Sequence, residues 1–213
     1  MDNIITDDTE VLVQKMLNKI HSAYYSYHIW KWLEQARNIN IGEEKANRNI
    51  QILNQQPTFF SVAIQGAFYN FIIDLSIFLD DNKSHKQSLS LNKLLSRIKI
   101  SNEDRKLIDD ILLGKKAIIY QIKNKIRDKE VAHFDTNVDR SQSNIILYKE
   151  AEGLFEAVHE IFNILSSTFN NSIWIWDTAE GQINDEMNYL LDNMELGEQT
   201  RKEELNKKLL DSI

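Results

Sequence analysis

Cysteine is absent from this 213-residue sequence, and proline occurs only once. Without cysteine the chain can form no disulfide, no thiolate zinc site and no cysteine nucleophile. One proline and six glycines also leave few helix breakers among residues that are rich in Leu, Ile, Lys, Glu, Asn and Gln. Because such a composition favours helix almost throughout, we expect an all-α protein.

Signals for export or membrane insertion are also scarce. The N-terminal residues MDNIITDDTEVLVQ lack a basic region followed by an apolar core, so we expect no signal peptide. The longest apolar stretch, FYNFIIDLSIFL, is shorter and more interrupted than a membrane-spanning helix requires. Together with the missing disulfides, these features predict a cytoplasmic protein that has no membrane partner.

The familiar motifs of metal, phosphate and acyl-transfer sites are missing as well. The sequence contains no HExxH, no glycine-rich phosphate loop and no GxSxG. Four histidines stand without a second ligand at metal-binding spacing, which favours structural roles for His21, His28, His85 and His159. We therefore expect no metal site and no cofactor.

Charge is distributed unevenly around a net value of −7. Residues 177–213 contain ten acidic and four basic side chains, whereas KKAIIYQIKNKIRDK (115–129) contains six basic side chains and one acidic side chain. A local basic patch is what a polyanion would meet. Within that patch Lys123, Lys125 and Lys129 are candidate phosphate-positioning residues, with a solvated helix face as the equal alternative.

Hydrophobic spacing predicts the first elements. Leu12, Met16 and Ile20 recur at helical intervals and predict a long helix over residues 9–37. The segment NINIGEEKANRN then interrupts the pattern, and we expect a short helix through Ile50 to Leu53.

Local signals mark the later elements. Pro57 precedes an apolar helix that we expect at the centre of the core. Ser90, and Ser101 with Asp104, predict N-caps, while Gly114 predicts a break between two helices. An amphipathic helix and an acidic helix complete the chain. The predicted architecture is a helical bundle over residues 1–172 with an acidic helical tail over residues 173–213.

The most informative motif, IRDKEVAH, lies at the end of the basic segment. In it Asp128 follows Arg127, and Ala132 precedes His133. This pattern resembles the R-polar-x(3–5)-H motif of the HEPN superfamily, helical domains named for higher eukaryotes and prokaryotes nucleotide-binding. The upstream FIIDLSIFLDDNKSHKQSLSLNKLLSRI and the downstream FEAVHEIFNILSSTF resemble its AbiU-type abortive-infection branch. The resemblance covers roughly residues 10–170.

The resemblance implies a metal-independent endoribonuclease that acts as a toxin or antiphage effector, with a HEPN-like bundle and a site formed where two protomers meet. It implies that Arg127 and His133 are catalytic, that Asp128 supports them, and that Asp74 orients Arg127. RNA is the implied partner, and a cognate antitoxin protein is a candidate partner. The alternative is a non-catalytic HEPN-like helical module that binds a nucleotide or a protein.

Helix geometry gives a separate reason to expect a homodimer. Six residues of α-helix turn through about 600° and rise roughly 9 Å, so Arg127 and His133 would point about 120° apart. Two copies about a two-fold axis would supply two arginines and two histidines to one site. The structural alternative is that Arg127 pairs with Glu130 or Glu156 while His133 caps the carbonyls of its helix end.

Overall fold

The computed structural model describes residues 7–79, 89–132, 146–170 and 178–211. Every regular element within these ranges is helical, so the prediction of an all-α protein is confirmed. In chain order the elements are α1 (Asp7–Gln35), a 3₁₀ helix (Ile39–Ile41), α2 (Glu43–Leu53), α3 (Pro57–Phe78), α4 (Leu91–Leu95), α5 (Asn102–Gly114), α6 (Lys116–Tyr120), a π-helix (Gln121–Ala132), α7 (Tyr148–Asn170) and α8 (Thr178–Leu210).

Three predicted helix starts are confirmed by the residues that stand there. Ser90 Oγ accepts a hydrogen bond from the backbone N–H of Lys93 at 3.4 Å, which caps α4. Ser101 Oγ accepts from the backbone N–H of Asp104 at 2.9 Å and so satisfies one of the free donors of α5. Pro57 is the first residue of α3, where its fixed φ suits the helix and no N–H is required.

The start of α2 differs from the prediction. We expect helix only through Ile50 to Leu53, but the helix begins at Glu43. Gly42 has φ 104°, a left-handed conformation that glycine adopts without steric cost, and this turns the chain from the 3₁₀ helix into α2. Glu43 and Glu44 then occupy the first turn, where acidic side chains interact favourably with the helix dipole.

The chain divides into two compact units. The first comprises Met1–Tyr27 and Phe68–Trp176, and the second comprises His28–Ala67 and Asp177–Ile213. The acidic tail is helical as predicted, and its helix α8 belongs to the same unit as α2. The predicted domain boundary between residues 172 and 173 stays a prediction.

Aromatic packing organises the core of the first unit. Tyr27 in α1 is fully buried, and its ring lies 5.6 Å from that of Phe71 in α3 and 5.3 Å from that of Phe155 in α7. Tyr24, one turn earlier, contacts Phe155 edge-on at 5.2 Å. The Tyr27 hydroxyl donates to Glu152 Oε1 at 3.2 Å, so the polar end of this buried side chain has a partner. These contacts join α1, α3 and α7.

The apolar helix α3 is only partly a core helix. Its 22 residues make it longer than the apolar stretch alone suggests, and among the described helices it is the one long and apolar enough to cross a membrane. Its second half is central, as predicted, because it contributes the buried residues Phe71, Ile72, Leu75 and Phe78. Its first half leaves Phe59 and Val62 exposed. Buried residues make up 39% of its most apolar stretch, and core helices of folded proteins can be equally long and apolar, so its length and composition are weak evidence for membrane crossing.

The second unit has its own core and an ionic contact between α2 and α8. Its buried apolar residues are Leu33, Ala36, Ile52, Leu53, Phe60 and Leu191. Arg48 in α2 pairs with Asp192 and with Glu195 of α8, where Arg48 Nε lies 2.8 Å from Glu195 Oε2. Hydrogen bonds to Glu195 and Asp192 raise the pKa of Arg48. The part of α8 from Met187 to Glu195 is therefore attached to α2 by apolar packing and by charge.

Candidate functional site

The basic segment that carries the predicted motif consists of two helices joined end to end, α6 and the π-helix. α5 ends at Gly114, as predicted, and α6 runs to Tyr120. The chain then continues directly into the π-helix, which contains Arg127. A π-helix is closed by hydrogen bonds between residues five apart, is rare, and occurs frequently at functional sites.

The helix type of this segment differs from the one assumed for the motif. The 120° divergence between Arg127 and His133 assumes an α-helix with 3.6 residues per turn. In a π-helix each residue turns through a smaller angle, because each hydrogen bond spans one residue more. His133 lies outside the described residues, so the divergence between the two side chains stays a prediction, as does the composite site that the family resemblance implies.

Two buried isoleucines fix the orientation of the π-helix. Ile122 and Ile126 are four residues apart and fully buried. Lys123 and Arg127 each follow one of these isoleucines and are both partly buried. The lysine and the arginine are thus about one turn apart at the border between core and solvent. Two adjacent cations at such a border can bind one phosphate or two neighbouring phosphates, and the guanidinium of Arg127 offers a planar fork for two oxygens.

The basic segment also lies against α7. A Cβ atom at Gly153 would lie 2.9 Å from Lys115 Nζ, so the glycine allows the ammonium group to approach the helix closely. α5, whose C-terminal capping residue is Lys115, packs on α7 in this unit. Sequence reasoning counted Lys115 in the basic patch but missed this contact, because the spacing of residues 115 and 153 carries no local signal.

Asp74, predicted to support the site, is buried in α3 and has a cationic partner. Lys19 Nζ in α1 lies 2.9 Å from Asp74 Oδ1. The pairing meets the need of a buried carboxylate for a counter-charge. Lys19 follows the buried Met16 by three residues and precedes the buried Ala23 by four, so helical spacing places it beside the core. That spacing does not identify Asp74, which is 55 residues away in sequence, as its partner. The role of Asp74 in orienting Arg127 stays a prediction.

The roles of the remaining predicted site residues stay predictions. His133 lies outside the described residues. The π-helix includes the backbone of Lys125, Asp128 and Lys129, and the structure does not describe their side chains. Lys123 and Arg127 are the predicted site residues of this segment whose side chains the structure describes, and they lie four residues apart in the π-helix.

The other titratable residues bear on metal binding. Within the described ranges, no group of three or more His, Asp or Glu side chains could hold a metal ion. Partial burial lowers the pKa of His21. His159 Nε2 lies 3.2 Å from the side-chain nitrogen of Asn163, one turn further along α7. Contacts of this kind are typical of structural histidines, while His85 lies outside the described residues.

A comparison with known proteins identifies the family of the chain. A protein-family model of the HEPN class, described as AbiU2, matches residues 8–190. The match contains the whole basic segment and the IRDKEVAH motif, and it extends beyond residue 170 into α8. No curated protein and no solved structure gives a significant match. Because the family match covers most of the sequence, the resemblance to the AbiU-type branch is confirmed, and the chain belongs to the HEPN AbiU2 family, which is linked to abortive infection.

Proposed function

We propose that this chain is a metal-independent endoribonuclease that acts as a toxin or antiphage abortive-infection effector. The observation that carries the proposal is the position of IRDKEVAH. The motif lies inside the family match, and its arginine stands on a π-helix beside a second cation, Lys123.

The chemistry requires little beyond an acid, a base and a cation. The 2′-OH of RNA is the nucleophile, so a bond forms between O2′ and phosphorus while the bond between phosphorus and O5′ breaks. A neutral His133 imidazole accepts the proton from the 2′-OH, and a protonated His133 donates a proton to the departing O5′, which suits a group whose usual pKa is about 6.5. Arg127 donates to two phosphate oxygens and stabilises the charge of the transition state. The products carry a 2′,3′-cyclic phosphate and a free 5′-OH.

Two copies of the site residues would separate the roles of acid and base. A two-fold homodimer with both His133 side chains near one phosphate supplies one neutral and one protonated imidazole. The second Arg127 adds a further donor for the phosphate. A cognate antitoxin protein fits this proposal as a partner that blocks the site or the approach of RNA.

The lysines of the π-helix would hold the RNA backbone. Lys123 lies one turn from Arg127, and Lys125 and Lys129 continue the basic sequence around it. Lysine contacts to phosphates position a nucleic acid without reading its bases. Asp128 and Asp74 are proposed as supporting residues that order the arginine.

Comparison of variants with matched controls tests the proposal. Purified wild type, Arg127→Ala and His133→Ala are incubated with total RNA, and the initial rate of cleavage is measured. The controls are Arg105→Ala and His159→Ala, which remove residues held by Asp109 and Asn163 within their own helices. Each site variant should lose about 10²-fold or more in rate, while the controls keep wild-type activity.

Circular dichroism shows whether each variant is folded, and the cleavage rates of the folded variants then distinguish the possible roles. Wild-type rates in both folded site variants would refute the catalytic roles. Equal losses in the control variants would indicate a structural effect instead. If wild type binds RNA without cleaving it, the alternative of a non-catalytic HEPN-like binding module is favoured.

A further inference from the structure

The basic segment carries an exposed aromatic ring on its solvent side. Tyr120, the last residue of α6, is 60% exposed. Its backbone carbonyl accepts a hydrogen bond from the side chain of Asn124 at 3.2 Å, and this contact does not involve the ring. Single exposed aromatic residues are common on protein surfaces, so exposure alone assigns no role to Tyr120. The residues that surround it along the helix are more informative.

Tyr120 lies in a row with three cations of the basic segment. The inward side of this segment is marked by the partly buried Ile119 and the fully buried Ile122 and Ile126. Tyr120, Lys123 and Arg127 each directly follow one of these isoleucines, so they lie on the same side of the helix, at its border with solvent. Lys116, which is exposed, precedes Tyr120 by four residues and continues the row. Successive members of the row are three or four residues apart, as neighbours on one helix face are.

A ring between two cations matches the composition of a nucleic-acid strand, in which each nucleotide has a flat base and an anionic phosphate. Proteins that bind single strands combine cations that follow the phosphates with aromatic side chains on which the bases stack. Tyr120 has Lys116 about one turn before it and Lys123 about one turn after it. In a duplex each base face is covered by the next base pair, so an exposed ring of this kind selects an unpaired base.

We propose that Tyr120 stacks on an unpaired base of the bound RNA, while Lys116 and Lys123 contact the phosphates on either side of that nucleotide. Arg127 is seven residues further along, which is less than two helical turns. Stacking therefore fixes the register of the strand relative to Arg127, and Tyr120 is a positioning residue. The inference rests on the proposed function, because it takes RNA as the ligand, and it adds Tyr120 and Lys116 to the site.

Tyr189 in α8 is a matched control, because it has the same side chain and comparable exposure in the opposite electrostatic surroundings. It is 70% exposed. Between Thr178 and Thr200, however, there are six acidic side chains and no basic side chain. Phosphates would be repelled there, so Tyr189 meets the condition of exposure but not that of adjacent cations.

Two RNA strands separate base stacking from phosphate contacts. One is a short oligouridylate, and the other is an abasic strand of the same length with the same ribose and phosphate groups. Binding of each strand is measured by fluorescence anisotropy in a His133→Ala background, so that the RNA stays intact. Tyr120→Ala should weaken binding of the oligouridylate about fivefold or more, as expected for the loss of an aromatic stacking partner. Its binding of the abasic strand should stay at the parent value.

Three further variants identify the group that is responsible. Tyr120→Phe keeps the ring and should keep the parent affinity for both strands. Tyr189→Ala should also keep it. Lys116→Ala should weaken binding of both strands alike and reduce the slope of log affinity against log salt concentration by about 0.7, because it removes one phosphate contact.

The outcomes separate the stacking role from the proposed activity. Parent affinity of Tyr120→Ala for the oligouridylate, equal losses for the two strands, or a loss in Tyr120→Phe as large as that in Tyr120→Ala would overturn the stacking role. If the parent binds neither strand, both the stacking role and the proposed RNA function are refuted. The expected binding pattern in a chain whose wild type does not cleave RNA would support the stacking role and refute the ribonuclease activity.

Discussion

Lys19 in α1 and Asp74 in α3 form an ion pair whose two ends differ strongly in exposure. The Lys19 Nζ to Asp74 Oδ1 distance is 2.9 Å, and the side chains are 47% and 7% exposed, respectively. If the pair is broken, the lysine can return to water while the aspartate cannot. Removal of a partner from a buried charge destabilises a protein much more than removal of a partner from a solvated one.

The first prediction is that the two ends of this pair contribute unequally to stability. Lys19→Met should lower the free energy of unfolding by about 2–4 kcal/mol, because it leaves the Asp74 carboxylate buried and unpaired. Asp74→Asn should lower it by about 1 kcal/mol, because Lys19 can still donate to the amide oxygen or turn to water. Urea unfolding measures both values.

Lys15→Met is the matched control, since Lys15 is an exposed lysine one turn earlier on α1. Its effect should stay within about 0.5 kcal/mol, as for other surface substitutions. Equal losses for Lys19→Met and Asp74→Asn, or a larger loss for Asp74→Asn, would contradict the argument from burial.

The second prediction concerns Lys123 and the salt dependence of RNA binding. If Lys123 contacts one phosphate, Lys123→Ala should reduce the slope of log affinity against log salt concentration by about 0.7 for single-stranded RNA. Affinity would be measured in the His133→Ala background, so that the RNA stays intact. Lys106→Ala, on the exposed surface of α5, should keep the parent slope. An unchanged slope for Lys123→Ala would mean that the lysine belongs to a solvated face.

The third prediction is a pH dependence of stability that arises from His21. Partial burial lowers the pKa of His21 in the folded chain. The unfolded chain therefore binds the proton first, near the usual pKa of about 6.5, and stability falls as the pH drops from there towards the lower folded value. His21→Gln removes this contribution. The loss of unfolding free energy between about pH 7 and pH 5 should be smaller in the variant, and an equal loss would contradict the prediction.

Much of the fold was predictable from local sequence signals, such as helix caps, proline and glycine. The Ser90 and Ser101 caps and the placement of Pro57 and Gly114 depend on local hydrogen bonds and on allowed backbone angles. The start of α2 was missed because the segment after Arg37 lacks apolar periodicity, and Gly42 changes the chain direction by a backbone conformation that hydrophobic spacing does not reveal.

Features that depend on tertiary packing could not be read from spacing. The choice between hydrogen bonds four and five residues apart in Gln121–Ala132 has no signal in the hydrophobic spacing, because the buried Ile122 and Ile126 lie four residues apart, as they would on an α-helix. The predicted need of Asp74 for a partner was correct, yet Lys19 is 55 residues away in sequence. The motif at Arg127 and the lysines beside it were recognisable because they are continuous in sequence, whereas the approach of Lys115 to Gly153 is made by the fold.

The nature of the RNA ends tests the central claim most directly. Wild type and His133→Ala are incubated with a defined RNA in an excess of chelator, and the ends of the fragments are analysed by mass spectrometry and by 5′ phosphorylation with a kinase. The proposed mechanism predicts cleavage by wild type in chelator, with 2′,3′-cyclic phosphate and free 5′-OH ends, and a loss of about 10²-fold or more in His133→Ala. Fragments with 5′-phosphate ends, cleavage that stops in chelator, or full activity of His133→Ala would contradict it.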